Sequence, residues 1–358
     1  MKAAIAQKMP QAEPPGLSYP IAEPPAPGTV TKVAHGVYWL RMPLPFVLNH
    51  INLWLLEGAE HDEGWTIVDC GFSTDEARGY WEQIFANCLK GKPVTRLIVT
   101  HFHPDHIGLC TWLCEKFGIT PEITKSEFLQ AHAVRNHVAG TGPEPLRALM
   151  AKHGLDDERM KMIEQRDRIY ERGVPALPGA FIRIKGGQTL RIGKHAWRVI
   201  IGHGHAPEHA ALYCEALGVL ISGDMLLPRI STNVSVWPVE PEADPVGEFL
   251  TSLSDFYALD AGTLVLPSHG LPFHGARVRV DALRDHHQVR FDALMAICAE
   301  PCTAVDVLPA LFQRKFDDHH LLFAMGEAVA HLNNLMHKGA LNRIDDGGVY
   351  RFVLAGGL

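Results

Sequence analysis

Residues 95–108, TRLIVTHFHPDHIG, limit what this chain can fold into more than any other stretch. The apolar run Leu97-Ile98-Val99 predicts a buried strand ending at Thr100, and His101, His103, Asp105 and His106 follow within six residues. In an extended chain, side chains i and i+2 point the same way. His101 and His103 can therefore grip one ion from one side. Pro104 turns the chain, so Asp105 and His106 address a second position. Three imidazoles and a carboxylate suit zinc, or a similar ion such as iron or manganese. One histidine among the 21 in the chain would mean little. Four ligand-type residues directly after a buried strand form a metal-site pattern.

The strands before this motif are readable. Residues 37–42 (VYWLRM), 51–57 (INLWLLE) and 65–70 (WTIVDC) have β character, and the last ends at Asp69. A carboxylate at a strand end beside the metal strand can orient a histidine ligand, or can cap a turn. Residues 75–89 predict a helix with Trp81, Ile84, Phe85 and Leu89 on one face. A further helix runs from about 106 to 117 and stops at Gly118. Residues 124–180 break this rhythm as a charged, mostly helical insertion placed to form a lid or a substrate wall. Its densest run, DDERMKMIEQRDRIYER, reads as a solvated helix face.

Strands return at 187–193 and 196–202, followed by GHGHAPEH at 202–209. A hairpin over about 210–222 leads into Ser222-Gly223-Asp224, and TLVLP (263–267) leads into Ser268-His269-Gly270. Three more strand ends thus carry ligand-type residues: His205, Asp224 and His269. A rigid sheet builds a site by gathering such ends. Spacing alone leaves His203 and His205 as alternatives, and His209 reads as a supporting residue. Arg229, Asn233 and Trp237 follow closely after Asp224 and are candidate substrate contacts.

From about 275 the pattern is helical: roughly 277–298, a short helix opened by a Thr303–Asp306 capping box, and 320–337. A hairpin around Asp345-Asp346-Gly347-Gly348 closes the chain. Helix, helix and hairpin is a winged-helix-like order. Residues 302–358 hold five Lys/Arg against six Asp/Glu, the wrong balance for gripping phosphate. A packing or dimerisation role, including a possible homodimer, is the better reading. His286, His287, His319, His320, His331 and His337 are read as non-ligands.

Composition sets the limits. The 358 residues suit two compact units: a catalytic domain over 29–275 and a C-terminal domain over 276–358, after a proline-rich arm over 1–28. A net charge of −7 argues against a nucleic-acid binder. No run approaches the roughly 18 apolar residues of a membrane span. There is no signal-peptide pattern. Seven cysteines, an odd number, argue against a disulfide scaffold, and a cytoplasmic location fits. Cys110 and Cys114 fall in phase with Leu113 and Phe117 as core. Cys298 and Cys302 straddle Pro301 and do not form a metal clip.

The ordered motifs THFHPDHIG, GHAPEH, SGD and PSHG resemble the metallo-β-lactamase superfamily over roughly residues 30–275. They are closest to its glyoxalase II-like hydrolase branch, with a tail similar to lactamase-beta-2-type proteins. The resemblance implies an α+β fold, a four-layer αβ/βα sandwich with a binuclear metal site at the sheet edges. It implies that His101, His103 and His205 hold a first divalent metal, that Asp105, His106 and His269 hold a second, and that Asp224 bridges them. A bridging aspartate is similar to the hydrolase branch. A histidine at 103, where the flavin-linked diiron branch usually has a glutamate, disfavours an oxidase. Glu208 departs from the family's usual glycine. The expected chemistry is hydrolysis of a small-molecule thioester or ester by a metal-bridging hydroxide, with Asp105 as the catalytic carboxylate. Phosphodiester cleavage and lactone or β-lactam opening are the alternatives.

Overall fold

The computed structural model describes residues 14–58, 64–138, 140–164, 167–312 and 318–356. Of the expected proline-rich arm, residues 1–13 lie outside that set, as do the side chains of residues 161–168 in the charged run and those of His319 and His320.

The first half of the chain builds a seven-stranded sheet in sequential order. Its strands are β1 (Thr31–Ala34), β2 (Val37–Pro43), β3 (His50–Glu57), β4 (Trp65–Val68), β5 (Val94–Ile98), β6 (Glu122–Ile123) and β7 (Ile182–Arg183). Pairing is antiparallel through β4 and parallel from β4 to β7. The parallel steps need crossovers. These are α1 (Asp75–Asn87), then α2 (Pro104–Ile107) with α3 (Cys110–Phe117), then α4 (Lys125–Arg135), α5 (Pro143–Lys152), α6 (Asp157–Glu164) and α7 (Asp167–Gly173). A second sheet has the order β12-β11-β10-β9-β8. It comprises β8 (Thr189–Ile192), β9 (His195–Gly202), β10 (His209–Cys214), β11 (Val219–Gly223) and β12 (Leu264–Pro267), with α8 (Pro245–Tyr257) crossing from β11 to β12. The chain ends with α9 (Ala276–Ile297), α10 (Ala304–Leu311), α11 (Asp318–His337) and the hairpin β13 (Leu341–Asp346) and β14 (Val349–Leu354).

Side-chain alternation sets the layers. In β2 and β3, Leu40, Met42, Ile51, Leu53 and Leu55 face α1 and α3, meeting Trp81, Ile84, Cys110 and Leu113. Their neighbours Val37, Trp39, Trp54 and Leu56 face the second sheet, meeting Trp197, Val199, Leu212 and Ile221. On that sheet's far side, Ala211, Tyr213, Leu220 and Val265 pack under Phe249, Leu253 and Phe256 of α8 and Val280 and Leu283 of α9. The result is the four-layer αβ/βα sandwich. β10 and β12 are buried at every position because both faces of their sheet are covered.

The last core continues without a break across residue 276. It takes in Val307, Met325, Val329, Leu332 and Phe352, and also Leu149, Met150, Leu155 and Met160 from the helical insertion. The insertion therefore divides. Phe128 and Ala131 of α4 pack on the first sheet's helical side, while α5 and α6 pack with the C-terminal elements. The helix expected over 106–117 is instead two segments meeting at Gly108. A side chain there would collide with the carbonyls of Gly173, Pro104 and Gly71, each within 2.6 Å of a Cβ. The capping box at Thr303 and Asp306 is present. Among the described residues, no helix is long and apolar enough to cross a membrane.

α11 reaches toward the strand ends through Gly326, whose carbonyl accepts from Val236 N at 3.1 Å. A Cβ at 326 would lie 2.8 Å from Ser235 Cβ and Oγ. Gly326→Ala is therefore expected to push α11 away from the 233–236 segment. Equilibrium urea unfolding should show a loss of about 1–3 kcal/mol, the usual cost of overpacking.

Candidate metal centre

β5 delivers the first ligand-type residues. The chain leaves it through Val99, Thr100 and His101, none of which is exposed. His103 is the N-cap of α2 and Pro104 its first residue, so Asp105 and His106 turn back within the first helical turn. β9 ends at Gly202, and the following loop brings in His205. β11 runs to Gly223, just before Asp224, and β12 to Pro267, two residues before His269.

These side chains converge in two groups. His101 Nε2 lies 2.9 Å from His103 Nδ1 and 3.2 Å from His205 Nε2. Asp105 Oδ2 lies 3.6 Å from His106 Nε2 and 3.4 Å from His269 Nε2. Asp224 faces both. Its Oδ2 is 3.4 Å from His205 Nε2, and its Oδ1 is 3.6 Å from the Nε2 atoms of both His106 and His269. With metal–nitrogen bonds of about 2.0–2.1 Å, ligand atoms around one tetrahedral ion stand roughly 3.3 Å apart. The observed separations match that edge. The triplets His101/His103/His205, His101/His106/Asp224 and Asp105/His106/His269 each have their ligand atoms within 4.8 Å of one another. His106 Nε2 and Asp224 Oδ1 are buried with no hydrogen-bond partner, a state that a cation between them would relieve.

Hydrogen bonds on the far side of each ring aim the ligand atoms inward. His106 Nδ1 donates to Asp69 Oδ2 at 2.8 Å, His205 Nδ1 to the Asn233 carbonyl at 2.7 Å, and His269 Nδ1 to the His50 carbonyl at 2.9 Å. His101 Nδ1 pairs with Thr100 Oγ1 at 3.0 Å. Thr100 in turn donates from both its hydroxyl and its backbone N–H to Asp69. Asp69 thus holds the His106 ring and, rather than capping a turn, ties the chain after β4 to Thr100 after β5. It does so from a left-handed backbone (φ 63°) that a non-glycine residue rarely adopts. His209 stands behind Asp224, whose backbone N–H donates to His209 Nε2 at 3.1 Å. Gly223 permits that approach, since a Cβ there would sit 2.3 Å from the same nitrogen. His203 is exposed and tied to the Pro207 carbonyl, whereas His205 is the one that joins the group around His101.

Several contributors carry no motif. Glu127 of α4 is fully buried, and its two oxygens accept from Phe102 N at 2.9 Å and Glu208 N at 2.6 Å. One carboxylate therefore clamps both loops of the first group, and burial pushes its pKa up to about 8. Tyr170 donates to the Phe102 carbonyl at 2.8 Å. Glu208, the departure from glycine, accepts from Ser126 N and so joins the loop to the start of α4. Arg41 and Asn52 both donate to the Gly270 carbonyl beside His269. The one visible signal was Asn52, a polar residue inside the apolar run INLWLL. Glu127 had none, because its charge looks like any helix-surface charge.

Of the three candidate substrate contacts, Arg229 is exposed and Trp237 half-buried. Asn233 supports His205 through its carbonyl, and its side chain accepts from Ser235 Oγ at 2.9 Å.

The two groups differ electrostatically. Burial drives the pKa of His101 well below its ordinary value and that of His103 to about 3, so both stay neutral with free lone pairs. For His106, burial acts downward, but Asp105, Asp69 and Asp224 outweigh it and leave the pKa at about 9. His269 reaches about 10 against the same downward pull, held up by Asp224 and Asp105. Both aspartates are lowered despite burial, Asp105 through His106 and His269, and Asp224 through His269 and His106. Without a metal, protons on His106 and His269 stand where positive charge is wanted.

A sandwich whose strand ends assemble two adjoining His/Asp pockets defines a class, the metal-dependent hydrolases of this fold. The sequence matches the Metallo-beta-lactamase superfamily description over residues 48–269 and the Metallo-beta-lactamase-like, C-terminal domain over 285–355. A crystal structure of a beta-lactamase domain protein from Burkholderia ambifaria is 46% identical, covers 95% of this chain and 98% of its own, and superposes with a TM-score of 0.88. The metallo-beta-lactamase family protein TTHA1429 from Thermus thermophilus is 33% identical, with 90% and 100% coverage and a TM-score of 0.77. The probable metallo-hydrolase YqjP of Bacillus subtilis is 25% identical over 87% of this chain and 96% of its own length. A linear primary-alkylsulfatase of a Pseudomonas strain is 28% identical over 63% of this chain, which spans 43% of that enzyme. The chain belongs to the metallo-β-lactamase superfamily and is a metallo-hydrolase.

Two outcomes are expected. Asp69→Asn should weaken metal binding by roughly 10–100-fold, the usual effect of losing a ligand's orienting partner, as read by chelator competition. Loading metal-free protein at pH 7 should release protons, because His106 and His269 titrate at about 9 and 10 and a cation must displace those protons. Apparent affinity should therefore rise with pH up to that range. Calorimetric titration in buffers of different ionisation enthalpy measures both effects.

Proposed function

We propose that this chain is a two-metal hydrolase of the glyoxalase II-like kind that cleaves a thioester or ester of an acyl-CoA- or acylglutathione-like compound. One observation carries the reading: the two oxygens of Asp224 face the two histidine groups separately. His101, His103 and His205 would hold one ion and Asp105, His106 and His269 the other, with Asp224 shared. Five imidazoles and two carboxylates suit zinc best, with iron or manganese as substitutes. Such ions would polarise a carbonyl oxygen and bring the pKa of a water near neutrality.

The chain's own part is positional and protolytic. The Asp105 side chain is 17% exposed, open enough to reach a water beside the site. It orients that water for attack and passes its proton to the leaving thiolate or alkoxide. Asp69, His209 and Glu127 hold the ligand loops rigid, so that little reorganisation is needed during reaction. We read α10, α11 and the β13–β14 hairpin as a winged-helix-like unit used for packing, since its charge balance does not favour nucleic acid.

A second reading is sulfate-ester cleavage, favoured by the 28% identity to the linear primary-alkylsulfatase. The same paired pocket suits an ester of sulfur as well as of carbon. A turnover assay on metal-replete protein separates the readings, with acyl thioesters and aryl esters, a primary alkyl sulfate and an aryl phosphodiester as its arms. Turnover confined to the carbonyl arm, falling at least about 100-fold in Asp105→Asn, supports the proposal. Turnover confined to the alkyl sulfate moves the assignment to the second reading, and turnover confined to the phosphodiester overturns both.

A further inference from the structure

Cys298 and Cys302 bring their Sγ atoms to 3.4 Å of each other inside the C-terminal core. Cys298 is the C-cap of α9, and Cys302 immediately precedes Thr303, the N-cap of α10. Pro301 stiffens the turn between them. We propose that this pair is a dithiol site that closes reversibly to a Cys298–Cys302 disulfide when a hydroperoxide reaches it.

Three features support the proposal. First, a disulfide needs about 2.05 Å between sulfurs, so the thiols must approach by roughly 1.4 Å, a distance that side-chain rotation can supply. Second, the backbone on either side is pinned. Cys302 exchanges both backbone hydrogen bonds with Phe352, at 3.1 and 2.8 Å, and Leu354 N donates to the Cys298 carbonyl at 2.9 Å. These bonds keep the two backbone positions close while β14 stays docked, leaving only the side chains to rotate. Third, the two sulfurs are unequal. Cys302 retains 6% of its exposure, whereas Cys298 has none. The hydrogen-bonded Cys298 side chain, with Arg351, draws the Cys302 pKa down, while Cys298 itself is pushed up. Cys302, the sulfur with some exposure, is the one a hydroperoxide meets first, which makes it the nucleophile and Cys298 the resolving thiol.

The chemistry balances. The Cys302 thiolate attacks the peroxide O–O bond, an S–O bond forms, and hydroxide (or alkoxide) leaves with the electron pair. Cys298 sulfur then attacks the sulfenic sulfur, an S–S bond forms, and the S–O oxygen departs as water with the thiol proton. Two thiols lose two electrons, and hydrogen peroxide becomes two waters. The bond would staple α9 to α10 where the insertion docks. His153 stacks on Phe352 there, with ring centroids 5.9 Å apart, and a Cβ at Gly154 would lie 2.8 Å from Thr303.

The test uses full-length, metal-loaded protein and a few equivalents of hydrogen peroxide, followed by denaturing alkylation and digestion. Arg290 and Arg314 bound a tryptic peptide, residues 291–314, that holds both cysteines and no others. The expected product is that peptide lighter by two hydrogens and closed to alkylation, restored by dithiothreitol. In Cys298→Ser, Cys302 should instead be trapped by dimedone as a sulfenic acid. Both thiols remaining fully alkylatable while other cysteines oxidise would overturn the proposal. So would direct passage of wild-type Cys302 to the sulfinic acid.

Discussion

Two backbone hydrogen bonds between the sheets at one end of the sandwich bring the residues of the candidate metal centre together. Ala210 N of the second sheet donates to the Thr100 carbonyl at 2.9 Å, and Asn52 N of the first donates to the Ser268 carbonyl at 2.7 Å. Each joins a strand end of one sheet to a strand of the other, immediately beside a ligand: Thr100 precedes His101, and Ser268 precedes His269. The tryptophan-rich layer between the sheets sets their spacing along its length. At this edge the sheets converge until backbone meets backbone, and side chains far apart in sequence share one pocket.

Convergence alone would leave mobile rings, and the surrounding polar groups prevent that. Asp69 links Thr100 and His106, so the end of β4 governs the residues following β5. Glu127 ties the His101–His103 loop to the loop after His205. These carboxylates are buried, which is costly unless their oxygens are satisfied. Both accept hydrogen bonds on each oxygen. The insertion is therefore structurally committed at its first helix, and its later helices are committed to the C-terminal core. Gly326 on α11 and Val236, three residues past the Asn233 carbonyl that orients His205, complete the link between the C-terminal elements and the first ligand group.

The residues that converge at the candidate site could be picked out of the sequence because their signals are local. Each ligand follows a short apolar run, and a strand end is the natural place for a polar group to meet a pocket. The layers were legible only through the family resemblance, because β3 is apolar on both faces and its run INLWLL shows no alternation. What escaped was set by tertiary approach. β6 and β7 are two residues each and are strands only because β6 pairs with β5 and β7 with β6. The chain leaves the helical path at Leu109, beside a Gly108 that three carbonyls crowd too closely for any side chain. Glu127 sits in a helix whose sequence looks solvent-facing, and only the fold turns it inward. His203 and His205 have the same chemistry two residues apart, and only the fold, which turns His203 to the Pro207 carbonyl and His205 to His101, tells them apart.

The central claim is that Asp224 stands between two metals rather than beside one. X-ray absorption fine structure on fully loaded protein tests it directly. The account predicts a metal–metal shell at about 3.5–4 Å, together with imidazole scattering from both ions. A spectrum with imidazole shells and no metal–metal shell, at two bound ions per chain, would contradict it.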